Sequence, residues 1–170
     1  MDRKNLALRV IGIDPGTATT GWAILEEIKG AVTPLAYGHI STSPKNSVSD
    51  RLKEVADNLG EIIKKYKPQE SAVEDIFFFK NQKTIIKVSQ SRGAILLTLE
   101  KKNVKIFSYT PLQVKQALTG YGRADKKQIQ LMVKNILKLK SIPKPDDTAD
   151  AIAIALCHLN SRKVNGLKNF

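Results

Sequence analysis

The chain has almost no cysteine: one residue, Cys157, in 170. A lone thiol excludes an internal disulfide and a cysteine-built zinc site, and it fits a reducing compartment. Long apolar runs are missing too, and none approaches the ~18 residues of a membrane-crossing helix. The stretch from Leu6 to Ile13 is interrupted by Arg9 and closed by Asp14, which makes it a poor signal peptide. No repeat with a period of roughly 20–50 residues is present, and no low-complexity linker divides the chain. With 42% hydrophobic and 26% charged residues the balance is that of a globular protein. One soluble, cytoplasmic domain spanning residues 1–170, with no membrane partner, is the expectation.

Acidic residues are scarce in one place in particular. Residues 80–140 carry fourteen Lys and Arg against only Glu100 and Asp125, which accounts for the whole net charge of +12. A basic stretch of this size is the footprint expected for a polyanion, although composition alone is equally compatible with a lysine-rich solubilising surface.

The first forty residues read as strands. The run Leu8 to Asp14 is stopped by Pro15-Gly16, and Gly21–Leu25 and Leu35–Ile40 follow, with turns placed at Lys29-Gly30 and Thr33-Pro34. Leu52, Val55, Leu59, Ile62 and Ile63 then take helical spacing up to Pro68. Strands are expected at Ser71–Glu74 and Val104–Phe107. Between them Ile85, Val88, Arg92, Ile95 and Leu99 recur every three or four residues, a helix stripe suited either to the core or to a symmetry mate. Helices from Pro111 toward Leu118, from Lys126 to Leu139, and from Asp146 or Asp147 toward Asn160 complete the order βββαβαβααα, a mixed α/β layer structure.

Four acids stand out: Asp14, Glu74, Asp147 and Asp150. Asp14 and Glu74 each close a strand, and those strands could lie side by side and parallel. Asp147 and Asp150 are three residues apart, so a helix holds them about 60° apart with a rise of about 4.5 Å, on one face. Gathering such groups is costly, since two unit charges 4 Å apart repel by about 4 kcal/mol at an effective dielectric near 20. Divalent cations or strongly raised pKa values are required, and oxygen-only ligation points to Mg²⁺ or Mn²⁺. Two such ions about 3.5–4 Å apart support phosphodiester hydrolysis, and the basic stretch would hold the phosphates. Singly, each acid has an ordinary alternative: Asp14 as a turn cap, Glu74 as a solvated strand end, the last acids as helix-start residues.

In order along the chain, Ile11-Gly12-Ile13-Asp14-Pro15-Gly16, Gly21-Trp22, Ala72-Val73-Glu74 with Phe77, Gln90-Ser91-Arg92-Gly93, Val114-Lys115-Gln116, Gly120-Tyr121-Gly122, Ala124-Asp125-Lys126-Lys127-Gln128 and Asp147-Thr148-Ala149-Asp150-Ala151 resemble the RuvC family of Holliday junction resolvases, in the ribonuclease H-like superfamily. The match covers about residues 9–160, leaving 161–170 as a tail expected to fray. The resemblance implies a five-stranded mixed sheet, an antiparallel meander plus parallel strands, flanked by helices. It implies a homodimer that nicks four-way junction DNA in pairs during recombination and repair, leaving 5′-phosphate and 3′-hydroxyl ends. It further implies a bacterial cytoplasmic enzyme working with a RuvA–RuvB branch-migration motor. By the resemblance Asp14, Glu74, Asp147 and Asp150 are the catalytic, metal-binding tetrad for two Mg²⁺, with Mn²⁺ able to substitute. Lys115 and Lys126 align with basic residues near the scissile phosphate, and Phe77 with an aromatic wedge at the crossover, where Phe78 and Phe79 are neighbouring candidates. Lys83, Lys87, Arg92, Arg123 and Lys127 are the further DNA-contact candidates.

Asp75 departs from the family's frequent Gln; as the next strand residue it points to the opposite face and stays outside the tetrad. His158, two turns past Asp150, is expected to be structural, and Cys157 a small buried apolar residue. Three rivals remain at this point. A phosphotransferase of the actin-like kind shares an Asp-Pro-Gly-Thr loop but needs a second lobe. A junction-binding module would bind without cutting, and a related nuclease would act on RNA.

Overall fold

A computed structural model describes residues 7–76 and 82–167, with side chains described except at 82, 83 and 165–167. The expected Phe77 wedge, its neighbours Phe78 and Phe79, and the Lys83 side chain lie outside the described residues. The elements are β1 (Leu8–Asp14), β2 (Thr19–Ile28), β3 (Ala31–Ser41), α1 (Val48–Tyr66), β4 (Glu70–Glu74), α2 (Gln82–Lys101), β5 (Lys105–Tyr109), α3 (Pro111–Thr119), α4 (Lys126–Ile136) and α5 (Asp146–Leu167). They form one five-stranded sheet in the order β3-β2-β1-β4-β5, with β1–β2 and β2–β3 antiparallel and β1–β4 and β4–β5 parallel. This is the mixed sheet and element order that the sequence predicts. No helix among the described residues is long and apolar enough to cross a membrane.

Alternation along β1 sorts the core into two layers, because successive strand side chains point to opposite faces. Ile11, Ile13, Ile24 and Val73 pack with Val55, Leu59 and Ile63 of α1 and Ile95 and Leu99 of α2. Val10, Ala23, Leu25 and Ala72 pack with α3, α4 and the Ala- and Ile-rich face of α5. Gly12 and Gly21 let α5 lie against the sheet: a β-carbon at either would overlap the carbonyl oxygen of Ala151 or Asp147. The fold therefore places the start of α5 directly over the ends of β1 and β2.

Three local expectations are corrected. Only Lys29-Gly30, with φ of 51° and 85°, turns the first hairpin. Pro34 lies inside edge strand β3, beside the register shift at Ile24/Leu25, where a missing N–H is tolerated. The last helix runs past Asn160 to Leu167, and Arg162 and Lys163 tie it to Glu70 and Glu27 at 2.7 and 2.8 Å. On α2 the buried stripe is Ser91, Ile95 and Leu99, whereas Ile86 and Leu97 stand 59% and 56% exposed.

Candidate active site

Strand parity decides where the acids go. Asp14 shares the parity of Val10 and Gly12, and Glu74 that of Ala72, so both carboxylates emerge on the face covered by α5. The parallel register Ile13↔Val73 sets them side by side one residue further along. Because Gly21 admits the Asp147 backbone, the first turn of α5 descends onto the same point and brings Asp147 and Asp150 with it. The four acids thus come from three separate segments to the carboxyl ends of adjacent parallel strands.

The electrostatics record the crowding. Burial, followed by the charges of Glu74, Asp150 and Asp147, pushes the Asp14 carboxyl up to about 9. Glu74 is raised to about 7, chiefly by burial and then by Asp150, with a hydrogen bond from Asp14 acting in the opposite sense. Asp150 is also raised by burial, against the opposing pull of Lys126. Asp150 is instead paired with a cation: Lys126 Nζ lies 3.1 Å from Asp150 Oδ2 and 3.3 Å from Asp146 Oδ2. Among the described residues no group of three or more His, Cys, Asp or Glu side chains is already placed to hold a metal ion. The donor set still fits a divalent cation, because it is all oxygen and its negative charge is tolerated only through protons and one ammonium.

Local sequence explains the two lysines. Thr110 and Gln113 form a capping box with Pro111 in the first turn, starting α3 so that Lys115 comes one turn later. Asp125 and Gln128 form a second box that makes Lys126 the first residue of α4. Lys115, Lys126, Glu74 and Asp150 line one cleft of about 250 Å³. The loop after Asp14 is held by Thr20 Oγ1 and Ser91 Oγ, which donate to the Gly16 carbonyl at 2.7 and 2.8 Å.

The remaining DNA-contact candidates divide. Arg123 and Lys127 are exposed at the start of α4, and Lys87 is exposed beside Thr17 and Arg51. Arg92 is engaged by protein groups, with Nε on the Glu74 carbonyl at 3.1 Å and Nη2 on Ser108 Oγ at 2.8 Å and Asp75 Oδ1 at 3.2 Å. Asp75 points away from the tetrad, as parity requires. His158 is fully buried, its ring nitrogens 2.7 Å from Tyr109 Oη and 2.7 Å from Glu70 Oε2, at the opposite end of β4 from Glu74. Burial pushes the Cys157 thiol up to about 11, leaving it an inert core residue. Asp146, a helix-start residue in sequence, stands i,i+4 to Asp150, so one ammonium serves both.

The profile of the family described as Crossover junction endodeoxyribonuclease RuvC matches residues 10–158. The crossover junction endodeoxyribonuclease RuvC of Fusobacterium nucleatum is 53% identical over 91% of this chain and 81% of its own length. Among solved structures, the T. thermophilus RuvC in complex with Holliday junction substrate is 36% identical, with a TM-score of 0.88 over 93% of this chain and 96% of that one. The yeast mitochondrial Holliday junction resolvase, 15% identical with a TM-score of 0.69 over 99% of this chain and 87% of that one, shares the fold.

Proposed function

The chain belongs to the RuvC family of crossover junction endodeoxyribonucleases, and on that footing we propose that it resolves Holliday junctions by paired, symmetric phosphodiester hydrolysis, leaving 5′-phosphate and 3′-hydroxyl ends. The observation that carries this reading is the convergence of Asp14, Glu74 and Asp150 in one coupled cluster, with Asp147 raising Asp14 further.

Asp14, Glu74, Asp147 and Asp150 would hold a pair of Mg²⁺ ions, with Mn²⁺ able to replace them. Bound there, such ions supply an activated water and neutralise charge on the leaving oxygen. The protein's own residues do the rest. Lys126 opposes the burial that raises Asp150 and stands, with Lys115, where a phosphate would enter the cleft. Arg123, Lys127 and Lys87 extend the positive surface along which DNA arms would lie. If about six phosphates are contacted, log affinity falls against log salt with a slope near −5.

A homodimer is supported by α2. Ile86, Gly93 and Leu97 fall on one exposed side at heptad-like spacing, and the space beside Gly93 is open. A symmetry-related helix could pack there closely, giving two sites for two opposed strands. Family membership extends the proposal to cooperation with a branch-migration motor.

The test is a labelled synthetic junction with a mobile core, mapped to the nucleotide, with Mg²⁺ or a chelator. Symmetric nicks that need the ion are expected. Binding without cutting would make the chain a recognition module, and preferential cutting of an RNA–DNA hybrid would reassign the substrate.

A further inference from the structure

Two consecutive residues of one helix hold the main chain beside both strand-borne acids. Ser91, fully buried on α2, donates from Oγ to the carbonyl of Gly16, two residues after Asp14, at 2.8 Å. Arg92, the next residue, donates from Nε to the carbonyl of Glu74 itself at 3.1 Å. Its Nη2 reaches Ser108 Oγ on β5 at 2.8 Å and Asp75 Oδ1 at 3.2 Å, so one guanidinium joins α2 to the ends of two strands. The Arg92 side chain is 19% exposed, with its contacts on the α2 side of the sheet, while the Glu74 carboxylate projects from the other side.

We infer that Ser91 and Arg92 are positioning residues for junction cutting, acting through the backbone at Gly16 and Glu74 to set the spacing of Asp14 and Glu74 and making no contact with DNA. The inference rests on the four acids being the cutting site. Its physical basis is the steep dependence of catalysis on alignment: a misplacement of about 1 Å costs on the order of a hundredfold in rate. Arginine suits the bracing role because its planar fork presents several donors in fixed directions, whereas lysine offers one point charge. A phosphate-binding arginine and a bracing arginine therefore respond differently to Arg→Lys.

The experiment compares Arg92→Lys, Arg92→Ala, Ser91→Ala and Ser108→Ala with the parent protein. Three quantities are read: junction affinity across a salt series, single-turnover cutting rate at saturating enzyme, and the Mn²⁺ concentration that half-maximally stabilises the DNA-free protein against heat. The expected result is affinity within about twofold and an unchanged salt slope for all four. Cutting should fall by about thirtyfold or more in both Arg92 variants and less in Ser91→Ala and Ser108→Ala, with the Mn²⁺ midpoint displaced upward in the same order. If Arg92→Ala does not fold, Arg92→Lys and Ser108→Ala carry the comparison, since Ser108 is exposed and its loss removes only one bond of the brace. Parental cutting by Arg92→Lys overturns the inference. So does a loss of junction affinity in Arg92→Ala with the salt slope shallower by about 1, the signature of a phosphate contact. Parental cutting by Asp14→Asn in the same assay would instead remove the role of the acids themselves.

Discussion

Glu74 stands beside Asp14 because β1 and β4 run parallel with Ile13 paired to Val73, and each carboxyl is raised by burial and by neighbouring negative charge. Asp14 is raised to about 9 and Glu74 to about 7, both above their unfolded values, so the folded protein binds more protons than the unfolded chain through the intervening range. The stability they contribute is complete below about pH 4 and is lost as pH rises through 7 and toward 9. Thermal unfolding of ion-free protein should therefore show a falling Tm from pH 5 to 9. Asp14→Asn should flatten that slope and Mg²⁺ should reverse it; a Tm that rises over this range would contradict the assignment.

Lys126 is the counter-charge for Asp150 and Asp146. Its hydrogen bond and charge oppose the burial that raises Asp150, so Lys126→Ala raises that carboxyl further. Junction cutting should fall by about an order of magnitude or more, and the acid limb of the rate–pH profile should move to higher pH. Lys126→Arg should restore most of both.

On α2, Leu97 is 56% exposed, so Leu97→Glu should leave the protomer folded while placing a charge in the face assigned to the partner. Sedimentation should show monomers. Cutting should fall more than junction binding, because the same helix holds the Gly16 and Glu74 carbonyls.

Much of this could be read from the residues, for identifiable reasons. Pro15-Gly16 marks the end of β1 and Pro68 the end of α1; both are punctuation with a local cause. The acids were legible because strand ends and helix starts fix direction without knowledge of packing. The contacts of Arg92 are not legible in the sequence because its partners, the Glu74 carbonyl, Asp75 and Ser108, come from other segments, and no local spacing announces a tertiary hydrogen bond. Pro34 reads as a turn residue in sequence because edge-strand status depends on which strand lies outermost, a property of the assembled sheet. The last helix was cut short at Asn160 because its final turns are anchored by ion pairs to Glu70 and Glu27, distant in sequence.

His158 bridges Glu70 and Tyr109 at the end of β4 remote from Glu74. His158→Gln should lower stability by about 2–3 kcal/mol, roughly 5–10 °C in Tm, by leaving buried polar groups poorly paired. At temperatures where the variant is folded, its cutting rate should equal the parent's; a specific loss of rate would assign His158 to the chemistry.

The most direct measurement is anomalous diffraction from junction-bound crystals soaked in Mn²⁺. Peaks enclosed by the carboxylates of Asp14, Glu74, Asp147 and Asp150, with Lys126 displaced from Asp150, are the predicted result. Manganese bound elsewhere on the protein, with Lys126 still paired to Asp150 and the cluster still protonated, would contradict it.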